Sequence, residues 1–209
     1  HLTSYPHLLS PGRIGNLEIR NRLMQTAMGT NLAHEGGFFG DELIAYHEAR
    51  AAGGGGLIIA EAVAVGYPQG AALYNQVAIS DDKYIPGLAR LAQAVQKHGA
   101  KIAVQLHFGG MNAARDMIDG RDVWVPSSPL PPKGTGFQGA LYPDEKALTQ
   151  AAKITSPPKF REIGPEDIAQ LIEWFAAGAL RAKQAGCDAV EIHGGHGYII
   201  AGFLSPASN

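Results

Sequence analysis

Cysteine is almost missing from this chain, and Cys187 is the single example. A disulfide within the chain is therefore excluded, and a cysteine-based metal site cannot be assembled. No apolar run approaches the roughly 20 residues that span a bilayer, and no charged-then-apolar signal segment is present. Lysine and arginine number 17 against 19 for aspartate and glutamate, so no basic bias indicates nucleic acid or a membrane surface as a partner. These absences favour a cytoplasmic location.

Apolar runs alternate with stretches of helical apolar spacing along most of the chain. Residues 9–22 are typical of a hairpin around Gly15 and Asn16, and Asp41 is placed to cap the first long helix, which Gly53 would end. Strands are predicted at 23–28, 57–62, 101–106 and 189–192, and helices at 41–53, 84–98 and 165–186. This alternation predicts an α/β fold with a parallel sheet and right-handed crossovers.

The predicted units leave two architectures open. Four strand–helix modules can form an open doubly wound sheet, or they can form half of a (β/α)8 barrel of about 250 residues. Residues 125–158 are rich in Pro, Gly and Ser, and a connection of that length is typical of functional lids or mobile segments. Because the chain begins at His1 and stops just after an apolar helix start, we expect residues 1–209 to be the N-terminal part of a longer polypeptide.

Three polar side chains, His193, His196 and Tyr198, follow the last predicted strand in a glycine-rich turn. Parallel α/β folds build their sites at such strand ends. One possible site is a three-histidine metal site of a lyase or hydrolase, formed by His193, His196 and His107. They could also satisfy backbone groups in a catalytically silent piece.

Four segments, 21–29, 56–62, 99–106 and 185–198 with 203–206, resemble in order the Old Yellow Enzyme family of FMN-dependent NAD(P)H oxidoreductases. The resemblance implies a (β/α)8 barrel, of which this chain supplies the N-terminal hairpin and the first four βα modules, with FMN at the strand ends. It implies hydride transfer from NADH or NADPH through the flavin to an activated alkene, such as an enone, an enoate or a dienoyl thioester. It also leaves room for a homo-oligomer and, in a longer parent chain, for a [4Fe–4S] cluster and FAD.

The resemblance also assigns catalytic roles. Tyr198 matches the proton donor, and His193 and His196 match the pair that binds the substrate carbonyl oxygen. Preorganised donors suit an oxygen that gains negative charge. One departure concerns the segment after the third strand, where the family usually has Trp-His and a later arginine. Here His107 is followed by Phe108, and the arginine is absent.

The flavin contacts implied by the resemblance come from three strand ends. Gln105 matches the glutamine at the pyrimidine edge of the flavin, which suits an amide that both donates and accepts. At the other flavin contacts, small residues let the backbone approach the ring closely. Many relatives carry Thr, Cys or His in place of Gly29, and such a side chain tunes the redox properties of the flavin by a hydrogen bond. Glycine has no side chain that could do so. The remaining flavin contacts are Ala27, Met28, Gly29 and Ala62.

Overall fold

The computed structural model describes residues 5–128 and 157–209. Most of the long connection expected at 125–158 therefore lies outside the described residues. In the described part of the chain, no helix combines the length and the apolar composition needed to cross a bilayer.

The N-terminal hairpin forms as predicted and closes one end of the sheet. After the short helix α1 (Pro6–Leu9), β1 (Gly12–Ile14) pairs antiparallel with β2 (Leu17–Ile19) around Gly15, whose φ of 58° favours glycine. Arg20 then donates hydrogen bonds to the carbonyl oxygens of Ala51 at 2.9 Å and Gly55 at 2.8 Å. Its guanidinium thus ties the hairpin to the end of the first long helix and to the turn that follows it.

A parallel four-stranded sheet forms the centre of the fold. Its strands are β3 (Met24–Gln25), β4 (Leu57–Ala64), β5 (Lys101–His107) and, after the pair β6 (Asp122–Val125) and β7 (Lys159–Glu162), β8 (Ala189–Ile192). The order is β3-β4-β5-β8, with Leu57 opposite Lys101 and Ala103 opposite Ala189. The register of β4 shifts between Ala60 and Ala62, so Glu61 forms a bulge.

The long helices cover one face of this sheet. They are α2 (Asp41–Ala52), α3 (Ile85–Gln96) and, after the short α4 (Ala114–Asp119), α5 (Pro165–Gln184), and α6 (Ile199–Leu204) follows β8. Helix α2 contacts α3, and α3 contacts α5. Burial of apolar side chains between helices and sheet supplies the main stabilising contribution. The buried core includes Leu43, Ile58, Leu88, Leu91, Ile102, Val104 and Leu106.

The expectation that Asp41 caps α2 is wrong. Gly40 is the N-cap, and Asp41 is the first helical residue, where its carboxylate pairs with Arg90. The helix begins one residue earlier than expected, and position 40 is restricted to glycine because a Cβ there would lie 2.0 Å from Cδ2 of His34. The expectation for Gly53 is confirmed, since its N–H donates to the Ala49 carbonyl at the helix end.

The parallel pair of β6 and β7 was not predicted. Its strands stand on either side of the long connection, with Asp122 opposite Lys159 and Val125 opposite Glu162. Strand β7 is largely exposed and strongly polar, so it lacks the apolar alternation by which strands are recognised. The pair joins β5 to α5 without adding a strand to the central sheet.

Candidate active site

The ends of the four central strands meet at one cavity of about 280 Å³. All eight residues singled out in the sequence contribute to its wall: Ala27, Met28, Gly29, Ala62, Gln105, His193, His196 and Tyr198. Four further residues complete the wall: Ala72, Leu73, Gln76 and His107. The residues expected to bind the flavin and those expected to act on the substrate therefore share one cavity.

His193 and His196 are hydrogen bonded to each other. Nδ1 of His193 accepts the backbone N–H of Gly195 at 3.2 Å, so the proton of the neutral ring is assigned to Nε2. That Nε2–H faces Nδ1 of His196 at 3.2 Å, which leaves the proton of His196 on its own Nε2. Burial, together with the neighbouring His196 ring, lowers the pKa of His193. In its neutral form, each ring therefore donates through its Nε2–H.

Tyr198 lies beside these histidines at the start of α6. Its ring centroid is 4.7 Å from that of His193 and 4.3 Å from that of His107, with both pairs of ring planes nearly perpendicular. Burial raises the pKa of Tyr198 above its ordinary value. The phenol therefore keeps its proton at neutral pH, as a proton donor must.

Gln105 is held by the neighbouring strand. Its Nε2 donates to Oε1 of Glu191 on β8 at 2.6 Å. A carboxylate only accepts hydrogen bonds, so this contact fixes which end of the amide faces Glu191. Oε1 of Gln105 is left as an acceptor.

Gln76 is a site residue that the sequence reasoning missed. Its Oε1 accepts the backbone N–H groups of Ala72 at 2.6 Å and Leu73 at 3.1 Å. Its Nε2 donates to the Ala62 carbonyl at 2.6 Å and to Nδ1 of His107 at 3.0 Å. Gln76 lies in the irregular segment after β4, where neither helical nor strand periodicity marks a residue, so no sequence signal pointed to it.

Glu61, in the bulge of β4, connects two segments of the cavity wall through hydrogen bonds. Its buried carboxylate accepts the backbone N–H of Thr30 at 3.0 Å and the Thr30 hydroxyl at 2.8 Å. Nε2 of the buried His47 lies 3.2 Å from the same carboxylate. These contacts tie the segment after β3 to the backbone that leads into Ala62.

The geometry does not favour the three-histidine metal site. Both Nδ1 of His107 and Nδ1 of His193 already accept hydrogen bonds, and Nε2 of His193 is directed at His196. Over residues 5–128 and 157–209, no three His, Cys, Asp or Glu side chains are grouped as a metal site would require.

The cavity wall fits a flat, hydrogen-bonding ring such as that of FMN. Ala27, Gly29 and Ala62 present backbone and small side chains, and a Cβ at Gly29 would lie 2.5 Å from Cδ1 of Leu73. The free Oε1 of Gln105 supplies an acceptor at another part of the wall. A strand-end site of this kind on a parallel α/β sheet is typical of barrel enzymes.

Residues 7–209 match the family model described as the NADH:flavin oxidoreductase / NADH oxidase family, and the chain belongs to that family. It is 42% identical over 208 residues to an NADH oxidase from Thermoanaerobacter brockii, covering 100% of this chain and 29% of that protein. It is 34% identical to an NADPH dehydrogenase from Bacillus subtilis (strain 168), covering 97% of this chain and 52% of that protein. The chain thus spans from about a quarter to about half of the length of such relatives.

Solved structures show the same fold. An Old Yellow Enzyme from Pichia sp. AKU4542 is 26% identical and superposes with a TM-score of 0.77, covering 97% of this chain and 50% of that one. A 2-naphthoyl-CoA reductase is 27% identical with a TM-score of 0.80, covering 98% and 30%. The expected hairpin and first four modules of a (β/α)8 barrel are therefore confirmed.

Proposed function

We propose that this chain provides the flavin and substrate sites of an FMN-dependent oxidoreductase that uses NADH or NADPH to reduce an activated alkene. The observation that carries the proposal is the meeting of all eight predicted site residues at one cavity. When bound, FMN would supply a two-electron carrier that accepts hydride from NAD(P)H and delivers it to the β-carbon of the alkene. Ala27, Met28, Gly29, Ala62 and Gln105 would hold it.

In this proposal His193 and His196 bind the substrate carbonyl oxygen. The Nε2–H of His193 is now directed at His196, so a carbonyl oxygen would take the place of that nitrogen as its acceptor. The Nε2–H of His196 provides the second donor. Donors held in place around the bound oxygen stabilise the charge that develops on it.

Tyr198 supplies the proton for the α-carbon. Its raised pKa keeps the phenol protonated, and its ring lies against both His193 and His107. General acid catalysis by a positioned group typically contributes about 10²- to 10⁴-fold to a rate. The 2-naphthoyl-CoA named for one structural relative carries a thioester next to an unsaturated ring, which supports a carbonyl-activated substrate.

The test is Tyr198→Phe in the protein that carries this chain, studied by anaerobic stopped-flow absorbance. We expect flavin reduction by NAD(P)H to stay within about twofold of wild type, and reoxidation by 2-cyclohexenone to slow by about 10²-fold or more. Reoxidation by dioxygen needs no donor to carbon and should be unchanged. Tyr5→Phe, at a tyrosine 64% exposed outside the cavity, is the matched control. Enone reoxidation at the wild-type rate in Tyr198→Phe would contradict the assignment.

A further inference from the structure

His107 is a fully buried histidine with a ring nitrogen that has no partner. It ends β5 and contributes to the cavity wall, and its Nε2 makes no hydrogen bond within the described part of the chain. Buried polar groups in folded proteins are almost always hydrogen bonded, so an exception inside a binding cavity calls for a physical reason.

The position of the His107 proton follows from Gln76. Two backbone N–H groups donate to Oε1 of Gln76, so its amide cannot be turned around without losing both bonds. Nε2 of Gln76 must then be the donor toward Nδ1 of His107, and Nδ1 must be an acceptor. The single proton of the neutral ring therefore sits on Nε2. The unpartnered group is a donor.

His107 also stays neutral over the physiological range. Burial, together with the nearby His193, lowers the pKa of His107 to about 3. Protonation would add a second N–H at Nδ1, where the Gln76 amide already points a donor. The ring thus offers one N–H donor at any pH at which the protein would work.

We propose that His107 is a third hydrogen-bond donor for the substrate oxygen, acting through Nε2–H beside His193 and His196. Its ring centroid is 5.6 Å from that of His193, so the two rings are neighbours in the cavity wall. The inference rests on the proposed function for the identity of the oxygen. In the family pattern this place usually belongs to tryptophan, so an imidazole donor here is a departure of this chain.

The first experiment reads the His107 tautomer directly. The FMN-loaded protein is labelled with ¹⁵N-histidine, and the His107 signals are identified by their loss in His107→Phe. We expect protonated Nε2 and unprotonated Nδ1 at every pH from 5 to 9, and a downfield shift of the Nε2–H proton on addition of 2-cyclohexenone. A proton on Nδ1, or no response to the enone, overturns the proposal. The second result would mean that the N–H rests against the Tyr198 ring, 4.3 Å away and nearly perpendicular.

The second experiment measures enone affinity. His107→Phe keeps an aromatic ring without a donor and should weaken 2-cyclohexenone binding to the oxidised holoenzyme roughly tenfold. His107→Gln restores a donor and should recover most of the affinity. His98→Phe, at a partly exposed histidine bonded to Glu48, should bind like wild type. Wild-type affinity in His107→Phe would refute the third donor.

Failure of this proposal is distinct from failure of the proposed function. If Tyr198→Phe blocks enone reduction while His107→Phe binds the enone normally, the function stands and the third donor does not.

Discussion

Removal of the Glu61 carboxylate should destabilise the protein more than removal of any exposed acid. Glu61→Leu would leave three donors without an acceptor: the Thr30 amide, the Thr30 hydroxyl and Nε2–H of His47. The hydroxyl can turn toward another acceptor, but the amide and the buried ring cannot. A buried donor left without an acceptor costs about 1–3 kcal/mol, so with two such donors we expect a loss of about 3–5 kcal/mol.

Glu61→Gln provides a graded comparison. The amide keeps one acceptor oxygen. With its NH₂ group at the Oε1 position, the Thr30 hydroxyl can reorient to accept, but Nε2–H of His47 loses its acceptor. The Thr30 amide would keep its partner. We expect a cost of about 1–2 kcal/mol, close to that of one hydrogen bond to a charged group.

Urea unfolding followed by the fluorescence of Trp124 and Trp174 measures both variants. Glu42→Leu, at an exposed glutamate in the first turn of α2, is the control and should change stability by about 0.5 kcal/mol or less. If Glu61→Leu unfolds at the same urea concentration as Glu42→Leu, the carboxylate does not hold Thr30 and His47 together. FMN affinity should fall in parallel with stability, since Thr30 follows the segment that lines the cavity.

Three further predictions concern single residues. The pKa of His107 is lowered to about 3, so below pH 6.5 the unfolded chain binds a proton that the folded chain does not. The free energy of unfolding should therefore fall by about 1.4 kcal/mol per pH unit from pH 6 to pH 4. Urea unfolding of His107→Phe should lack this pH-dependent component. Gly70→Ala should lower the free energy of unfolding by about 2–4 kcal/mol in the same assay, since φ is +74° and a Cβ would lie 2.3 Å from the Phe108 ring. Gly120→Ala is the control: φ is +68° but the space is open, so the loss should be only about 1–2 kcal/mol. Burial, together with the charge of Asp188, raises the pKa of Cys187 to about 12. Iodoacetamide at pH 8 should therefore alkylate the folded protein at least about 100-fold more slowly than the urea-unfolded chain. Comparable rates would contradict this.

Periodicity was sufficient for the regular parts of the fold. The strands at 57–62 and 101–106 and the three long helices are present, because each has an apolar face or run that the core buries. The strand at 189–192 is also present, although Val190 and Ile192 are exposed. The first strand is shorter than predicted, with only Met24 and Gln25 paired, because the chain then turns to bring Thr30 to Glu61. The N-cap at Gly40 depends on the position of the His34 ring, which no local pattern reports.

The site was predicted through motifs, and its supporting contacts were not. The eight motif residues lie at strand ends, and a parallel sheet brings strand ends together whatever the loops do. Gln76 and the Glu61–His47 pair depend on long-range contacts between irregular segments and helices. Such contacts have no fixed spacing along the chain, so they become visible only in three dimensions.

The Gln76 side chain has a consequence for how this protein can change. One amide satisfies two loop N–H groups, one strand carbonyl and the imidazole of His107. A new residue at position 107 that cannot accept a hydrogen bond would leave Nε2 of Gln76 without one of its two acceptors. A change at position 76 would remove the hydrogen bonds of both the loop and the histidine. Positions 76 and 107 should therefore be mutationally coupled. Directed-evolution libraries that vary position 107 alone would discard combinations that become viable only when position 76 changes with it.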